Sequence, residues 1–140
     1  MILGFTVWLT YAMTMVVVAI MVYHSRSRAQ QALAPHGLFW PHDPSSAELC
    51  SVGGNLATNA GGPRAVKYGT ARDNVLGIVA VTGAGELIRC GGAYTKDATG
   101  YDLTHLLVGS EGTLALIVEA TLKLAPRPRA QAGLRVLYRD

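Results

Sequence analysis

Residues 51–62 read SVGGNLATNAGG, with four glycines and two asparagines among residues no larger than leucine. This composition is unfavourable for helices and strands, so it predicts an irregular loop. Glycine and asparagine tolerate positive φ, and small side chains let the main chain approach a ligand and direct N–H groups at it. The stretch therefore indicates a binding loop for an anionic or planar polar ligand, with an ordinary turn as the alternative.

The length and composition are typical of one small folded domain. The chain has 140 residues, an apolar fraction of 50% and 16 glycines, which excludes disorder. Its net charge of +3 is small and its basic residues are scattered, so the sequence predicts no nucleic-acid partner. Cys50 and Cys90 form neither a CxxC pair nor a disulfide framework. They fit a reducing, cytoplasmic compartment and suggest no metal.

The N-terminal stretch differs from everything after it. Residues 2–23 are almost entirely apolar and uncharged, and this length can span a bilayer as a helix. Arg26 and Arg28 follow it and no basic residue precedes it, so the positive-inside rule predicts a cytoplasmic body with a membrane anchor. We therefore assign residues 1–24 to a hydrophobic, transmembrane-type helix. The alternatives are a buried helix and a segment produced by a disrupted reading frame.

The remaining segments predict an α+β fold with a mixed sheet and short helices. The pattern predicts a helix over 25–34, strands over 75–81, 86–90 and 114–124, a helix over 102–107 capped by Asp102, and a further strand beginning at 133. The prolines and serines of PHDPSS, residues 41–46, predict a constrained loop that leads into the glycine-rich stretch.

No familiar catalytic arrangement of side chains is present. Ser110 lies in a tight turn, but a nucleophile elbow needs glycine where Val108 stands. Residues 83–85 read GAG but lack the third glycine and the helix of a dinucleotide-binding fingerprint. The four histidines have no ligand spacing, so no metal site is predicted. Two glycine-rich turns and the PHDPSS loop remain, a pattern that suits a large cofactor held mainly by backbone contacts.

Five motifs in this order resemble one family. They are PHDPSS at 41–46, GGNLATNAGG at 53–62, VKYG at 66–69, GYDLT at 100–104 and GSEGTL at 109–114. Together they resemble the FAD-binding domain of the vanillyl-alcohol oxidase or PCMH type, and within it the glycolate oxidase D subunit and the D-lactate dehydrogenases. The likeness covers residues 29–140. It divides the chain into a partial FAD-binding domain at 25–132 and the start of a substrate cap domain at 133–140.

The resemblance implies an oxidoreductase that binds FAD between two subdomains and oxidises a 2-hydroxy acid, such as glycolate or D-lactate, to the 2-oxo acid. It assigns no catalytic residue in this chain. The cofactor-binding residues that it implies are Asp43, Pro44, Ser45, Ser46, Cys50, Ser51, Gly53, Gly54, Asn55, Thr58, Asn59, Ala60, Gly61, Gly62, Glu111, Gly112, Thr113, Leu114, Leu116 and Ile117.

The sequence departs from the family in several places. His42 stands where relatives usually have proline and Ala115 where they usually have glycine, and both substitutions are expected to adjust packing near the flavin. From the resemblance we expect that the family's first phosphate-binding loop has no counterpart in residues 1–23 and that the substrate cap beyond Tyr138 is missing. We therefore expect weak FAD binding by this chain. The alternative is an inactive, membrane-tethered accessory subunit that pairs with another chain.

Overall fold

The structure is a computed structural model that describes residues 26–138. The hydrophobic helix predicted for residues 1–24 lies outside the described residues. Between residues 26 and 138, no helix is long and apolar enough to cross a membrane.

Short helices and strands alternate along the chain, so the predicted mixture of helix and sheet is confirmed. In chain order the elements are α1 (the described part covers residues 26–33), a 3-10 helix (Ala34–His36), β1 (Leu38–Phe39), α2 (Val52–Ala57), α3 (Ala65–Tyr68), a 3-10 helix (Arg72–Asn74), β2 (Val75–Thr82), β3 (Leu87–Gly91), α4 (Leu103–Leu107), β4 (Ala115–Leu122) and β5 (Ala125–Pro126).

A three-stranded antiparallel sheet with the order β3-β2-β4 forms the centre. β2 is the middle strand, and its apolar residues suit this place because most of them are buried. Its pairing with β4 shifts after Val79, which pairs with Glu119, whereas Ala80 pairs with Ile117. Val118 is the extra residue of a β-bulge, so the predicted alternation of exposed residues along β4 is interrupted.

Two-residue strands β1 and β5 form a second small sheet. Leu38 pairs with Pro126 and Phe39 with Ala125, and the Arg127 N–H donates to the Gly37 carbonyl at 2.8 Å. This pairing brings the chain that follows β4 back beside the start of the PHDPSS loop.

Trp40 occupies the middle of the core. Its side chain is 0% exposed, and its indole Nε1 donates to the Asn74 carbonyl at 3.1 Å. The same buried cluster contains Leu56 of α2, Ile78 of β2 and Val108 from the turn before β4. The core therefore joins the glycine-rich segment to the sheet.

Two predictions of local structure are wrong. Residues 51–62 are not wholly irregular, because the Ser51 Oγ accepts the Gly54 N–H at 2.9 Å and caps helix α2, whose Leu56 is buried. Packing and capping outweigh the low helix propensity of the two glycines. Residues 133–138 form no strand and are exposed, since they have no strand partner among the described residues.

Asp73 stabilises the turn that leads into β2 through an acid-sensitive contact. The Thr70 main-chain N–H and hydroxyl both donate to its Oδ2, at 2.7 and 2.9 Å, and these bonds lower the pKa of the Asp73 carboxyl. Its stabilising effect is thus present above the ordinary pKa of 3.8 and is lost as the pH falls through the lower folded-state value. We expect the melting temperature of Asp73→Asn to fall less between pH 7 and pH 2 than that of wild type, as measured by thermal denaturation. An equal fall in both proteins would contradict the stabilising role of the Asp73 carboxylate.

Candidate functional site

The three segments predicted to line a ligand meet around α2. A Cβ on Gly62 would lie 1.9 Å from the Asp43 carbonyl oxygen, so the end of the glycine-rich stretch runs directly against the PHDPSS loop. On the other side, the Gly109 N–H donates to the Leu56 carbonyl and the Glu111 N–H to the Ala57 carbonyl, both at 2.9 Å. The structure therefore brings together segments that are about 70 residues apart in the sequence, from the loop at 41–46 to the turn at 109–114.

Two non-glycine residues adopt left-handed backbone conformations at this site. Asn59 has φ 47° and Glu111 has φ 52°. The Asn59 Oδ1 accepts the Arg72 N–H at 2.9 Å, and the Arg72 guanidinium donates to the Val108 carbonyl at 2.8 Å. The Asn59 side chain therefore ties its own turn to the turn before β4.

Asn59→Ala is expected to lower the free energy of unfolding by about 1–2 kcal/mol, because alanine loses the bond to Arg72 and is disfavoured at positive φ. Urea denaturation of the full chain measures this change. Thr58→Ala is the matched control: its exposed hydroxyl bonds only the carbonyl of its own helix, and we expect a change of about 0.5 kcal/mol or less. Equal effects of the two substitutions would contradict the role of Asn59.

Asp43 holds its loop in place through two ion pairs. Its carboxylate lies 3.1 Å from the Arg26 Nη2 and 3.2 Å from the Arg64 Nε. The Arg26 side chain is only 14% exposed and also donates to the Ala47 and His42 carbonyls. The Asp43 side chain thus positions the loop, and it is the main chain of the loop that is available to a ligand.

Sequence reasoning missed both arginines as site residues. Arg26 was interpreted as the flank of a membrane helix, and Arg64 as part of a polar turn. Arg26 and Asp43 are 17 residues apart, and no local pattern links them. The carboxylate of Asp43 within the proline-rich loop gave the one local signal, because a partly buried carboxylate favours a cationic partner.

His42 of the PHDPSS loop and Asn55 of α2 are both buried. They are 2% and 3% exposed. Burial lowers the pKa of His42, so the imidazole is neutral at pH 7, and its ring packs 5.0 Å from that of Trp40. The Asn55 side-chain amide donates to the Cys50 Sγ at 3.3 Å. The His42 ring therefore packs against the core, and the Asn55 side chain holds Cys50 at the start of the glycine-rich stretch.

Small residues form the outer surface of the site. A Cβ added at Gly61 or at Gly112 would meet nothing within 4 Å. Ligand atoms can therefore approach the main chain here, as a long cofactor bound through backbone groups requires.

The predicted binding residues divide into a supporting layer and an accessible layer. Pro44, Ser51 and Asn55 are buried; Asp43, Cys50, Gly53, Asn59, Ala60, Gly61, Gly62 and Ile117 are partly buried; Ser45, Ser46, Gly54, Thr58, Glu111, Gly112, Thr113, Leu114 and Leu116 are exposed. Their contact with a cofactor stays a prediction. In residues 26–138, no cluster of three His, Cys, Asp or Glu side chains could hold a metal ion.

Part of the chain matches a known protein family. Residues 25–91 match the family described as FAD binding domain. The match begins at α1 and ends with β3, so it includes the PHDPSS loop and all of the glycine-rich stretch.

Two relatives are similar to this chain over more residues than the family match covers. The chain is 48% identical over 110 residues to glycolate oxidase subunit GlcD of Bacillus subtilis (strain 168), covering 79% of this chain and 23% of that protein. It is 52% identical over 103 residues to a D-lactate dehydrogenase of Archaeoglobus fulgidus, covering 74% of this chain and 23% of that protein.

A solved structure supports the fold. An alkyldihydroxyacetonephosphate synthase matches with a TM-score of 0.64 and 32% identity, over 75% of this chain and 18% of that one. The predicted resemblance to FAD-binding domains of the glycolate oxidase and D-lactate dehydrogenase type is confirmed. The chain spans about a quarter of the length of the two curated relatives.

Proposed function

We propose that residues 41–62 and 109–117 form one wall of an FAD site in an oxidoreductase that oxidises a 2-hydroxy acid to the 2-oxo acid. The observation that carries the proposal is the convergence of three small-residue segments around α2, within a segment of the FAD-binding domain family. Two relatives are named for glycolate and D-lactate, which are both 2-hydroxy acids.

The residues of the site fit this cofactor. FAD is long and carries a negatively charged pyrophosphate, and the main chain around Gly61 and Gly112 has open space for such a ligand. The Arg26–Asp43–Arg64 ion pairs hold the PHDPSS loop against Gly62, so that wall is formed before a ligand arrives. When bound, FAD supplies the hydride acceptor, and the protein binds and orients it.

The domain arrangement and the compartment are parts of the same proposal. We place the FAD-binding domain at residues 25–132 and the start of a substrate cap at 133–140. Cys50 and Cys90 are both free thiols, which supports a reducing compartment such as the cytoplasm. No feature between residues 26 and 138 favours the alternative of an inactive, membrane-tethered accessory subunit.

Hydrogen exchange with and without FAD tests the proposal on the full chain. We expect FAD to slow the exchange of main-chain amides in residues 43–62 and 109–117, because a bound cofactor covers them. The hairpin turn at 83–86 is the internal control, since it lies in an exposed turn between β2 and β3 and should exchange equally in both samples. Protection confined to other segments, or no protection at saturating FAD, would refute the proposed site.

A further inference from the structure

A basic groove lies beside the proposed FAD wall. Its volume is about 880 Å³, and it runs between α1, α3 and the chain after β5. Its charged residues are Arg26, Asp43, Arg64, Lys67 and Arg127, which are four cations and one carboxylate. We call it the basic groove.

The charges within the basic groove are only partly neutralised. Asp43 forms ion pairs with Arg26 and Arg64 at 3.1 and 3.2 Å, so its single negative charge neutralises one of their two positive charges. Lys67 and Arg127 are exposed, and no carboxylate between residues 26 and 138 lies within 4.0 Å of their charged nitrogens. The groove therefore keeps an excess of positive charge that favours an anion.

Aromatic rings hold some of these cations in place. The Lys67 Nζ lies 4.9 Å from the centre of the Tyr68 ring, and the Arg64 guanidinium lies 5.9 Å from that of Phe39. Phe39 and Tyr68 pack edge to face, 5.6 Å apart. The groove is thus a partly ordered cationic surface with an apolar floor, which suits a small organic acid.

We propose that the basic groove is an anion-binding site that receives the carboxylate of the 2-hydroxy acid, with Lys67 and Arg127 as its principal cations. This rests on the proposed function, because the groove shares Asp43 with the FAD wall and so places a bound acid beside it. The phosphates of FAD are the other anions within reach. They fit the main-chain surface around Gly61 and Gly112, whereas the groove presents side-chain cations on aromatic rings.

Oxalate, a small dicarboxylate, is the probe. The full chain is titrated with oxalate by calorimetry in the absence of FAD, and the double variant Lys67→Gln/Arg127→Gln is compared with wild type. We expect the dissociation constant for oxalate to rise about tenfold in the variant, and wild-type binding to weaken as salt is added. Lys96→Gln/Lys123→Gln is the matched control, because it makes the same change in net charge at exposed lysines outside the groove and should bind oxalate as wild type does.

Each other outcome overturns the proposal in a distinct way. Equal loss of oxalate binding in both double variants would show a general charge effect, and no wild-type binding would show that the groove is not a site. A matching tenfold loss of FAD affinity in Lys67→Gln/Arg127→Gln would assign the groove to the phosphates. The oxalate titration needs no FAD, so its result is independent of the exchange experiment that tests the FAD wall.

Discussion

Gly62→Ala is expected to lower the free energy of unfolding by about 3 kcal/mol and to remove FAD binding. The new Cβ would lie 1.9 Å from the Asp43 carbonyl oxygen and 2.4 Å from its carbon, and Gly62 has φ 154°, a conformation unsuited to alanine. The contact is between two main chains, so no side chain can rotate to relieve it. The PHDPSS loop and the glycine-rich stretch must then separate. Urea denaturation followed by tryptophan fluorescence measures the loss.

Gly61→Ala is the matched control for this change. It makes the same substitution one residue earlier, where the Cβ meets nothing within 4 Å and φ is not positive. We expect its free energy of unfolding to stay within about 0.5 kcal/mol of wild type. If the two variants unfold at the same urea concentration, the close approach of Gly62 to Asp43 does not exist in solution.

Trp40→Ala is expected to cost about 3–5 kcal/mol, because it removes the largest fully buried side chain among residues 26–138 and leaves a cavity. The lost indole hydrogen bond adds little, since the Asn74 carbonyl also accepts the Lys123 N–H at 3.0 Å and stays bonded. Trp40 links α2 to the sheet, so its removal should also loosen the cofactor-binding wall. Thermal denaturation of the full chain followed by circular dichroism reports the change.

Tyr101→Ala provides the comparison for Trp40. It also truncates an aromatic side chain to alanine, but Tyr101 is 95% exposed. We expect a change within about 0.5 kcal/mol. Comparable losses in both variants would mean that Trp40 is not at the centre of the core.

Elements with a strong local pattern could be predicted from the sequence. The apolar run at 75–81, the glycine-containing turn at 83–85 and the second strand predicted the β2–β3 hairpin. Asp102 predicted the start of α4, and its Oδ1 indeed accepts the His105 N–H at 2.9 Å. In each case, a turn or cap within a few residues of the element specifies it.

Helix α2 could not be predicted from its own residues, because it is stabilised by contacts with residues that are distant in the sequence. Two glycines make residues 52–57 a poor isolated helix, and α2 forms because Leu56 packs in a core made by Trp40, Ala71 and Val108. The predicted strand at 133–138 failed for the opposite reason, as it meets no partner strand in the described residues.

The sequence predicted which segments form the candidate site, but not how these segments contact one another. Order and motif content identified the loop at 41–46, the glycine-rich stretch and the turn at 109–114. The ion pairs of Asp43 with Arg26 and Arg64 join residues about 20 positions apart, a distance across which charge patterning carries no pairing information. The basic groove was missed for the same reason, since its four cations come from α1, from α3 and the residue before it, and from the chain after β5.

The most direct test of the central claim is a titration of the full chain with FAD, followed by the quenching of flavin fluorescence. We predict weak but saturable binding, at one FAD per chain, that is lost in Gly62→Ala, because that substitution separates the two loops that form the wall. The absence of saturable binding by the wild-type chain, or equal binding by wild type and Gly62→Ala, would contradict an FAD site built on residues 41–62 and 109–117.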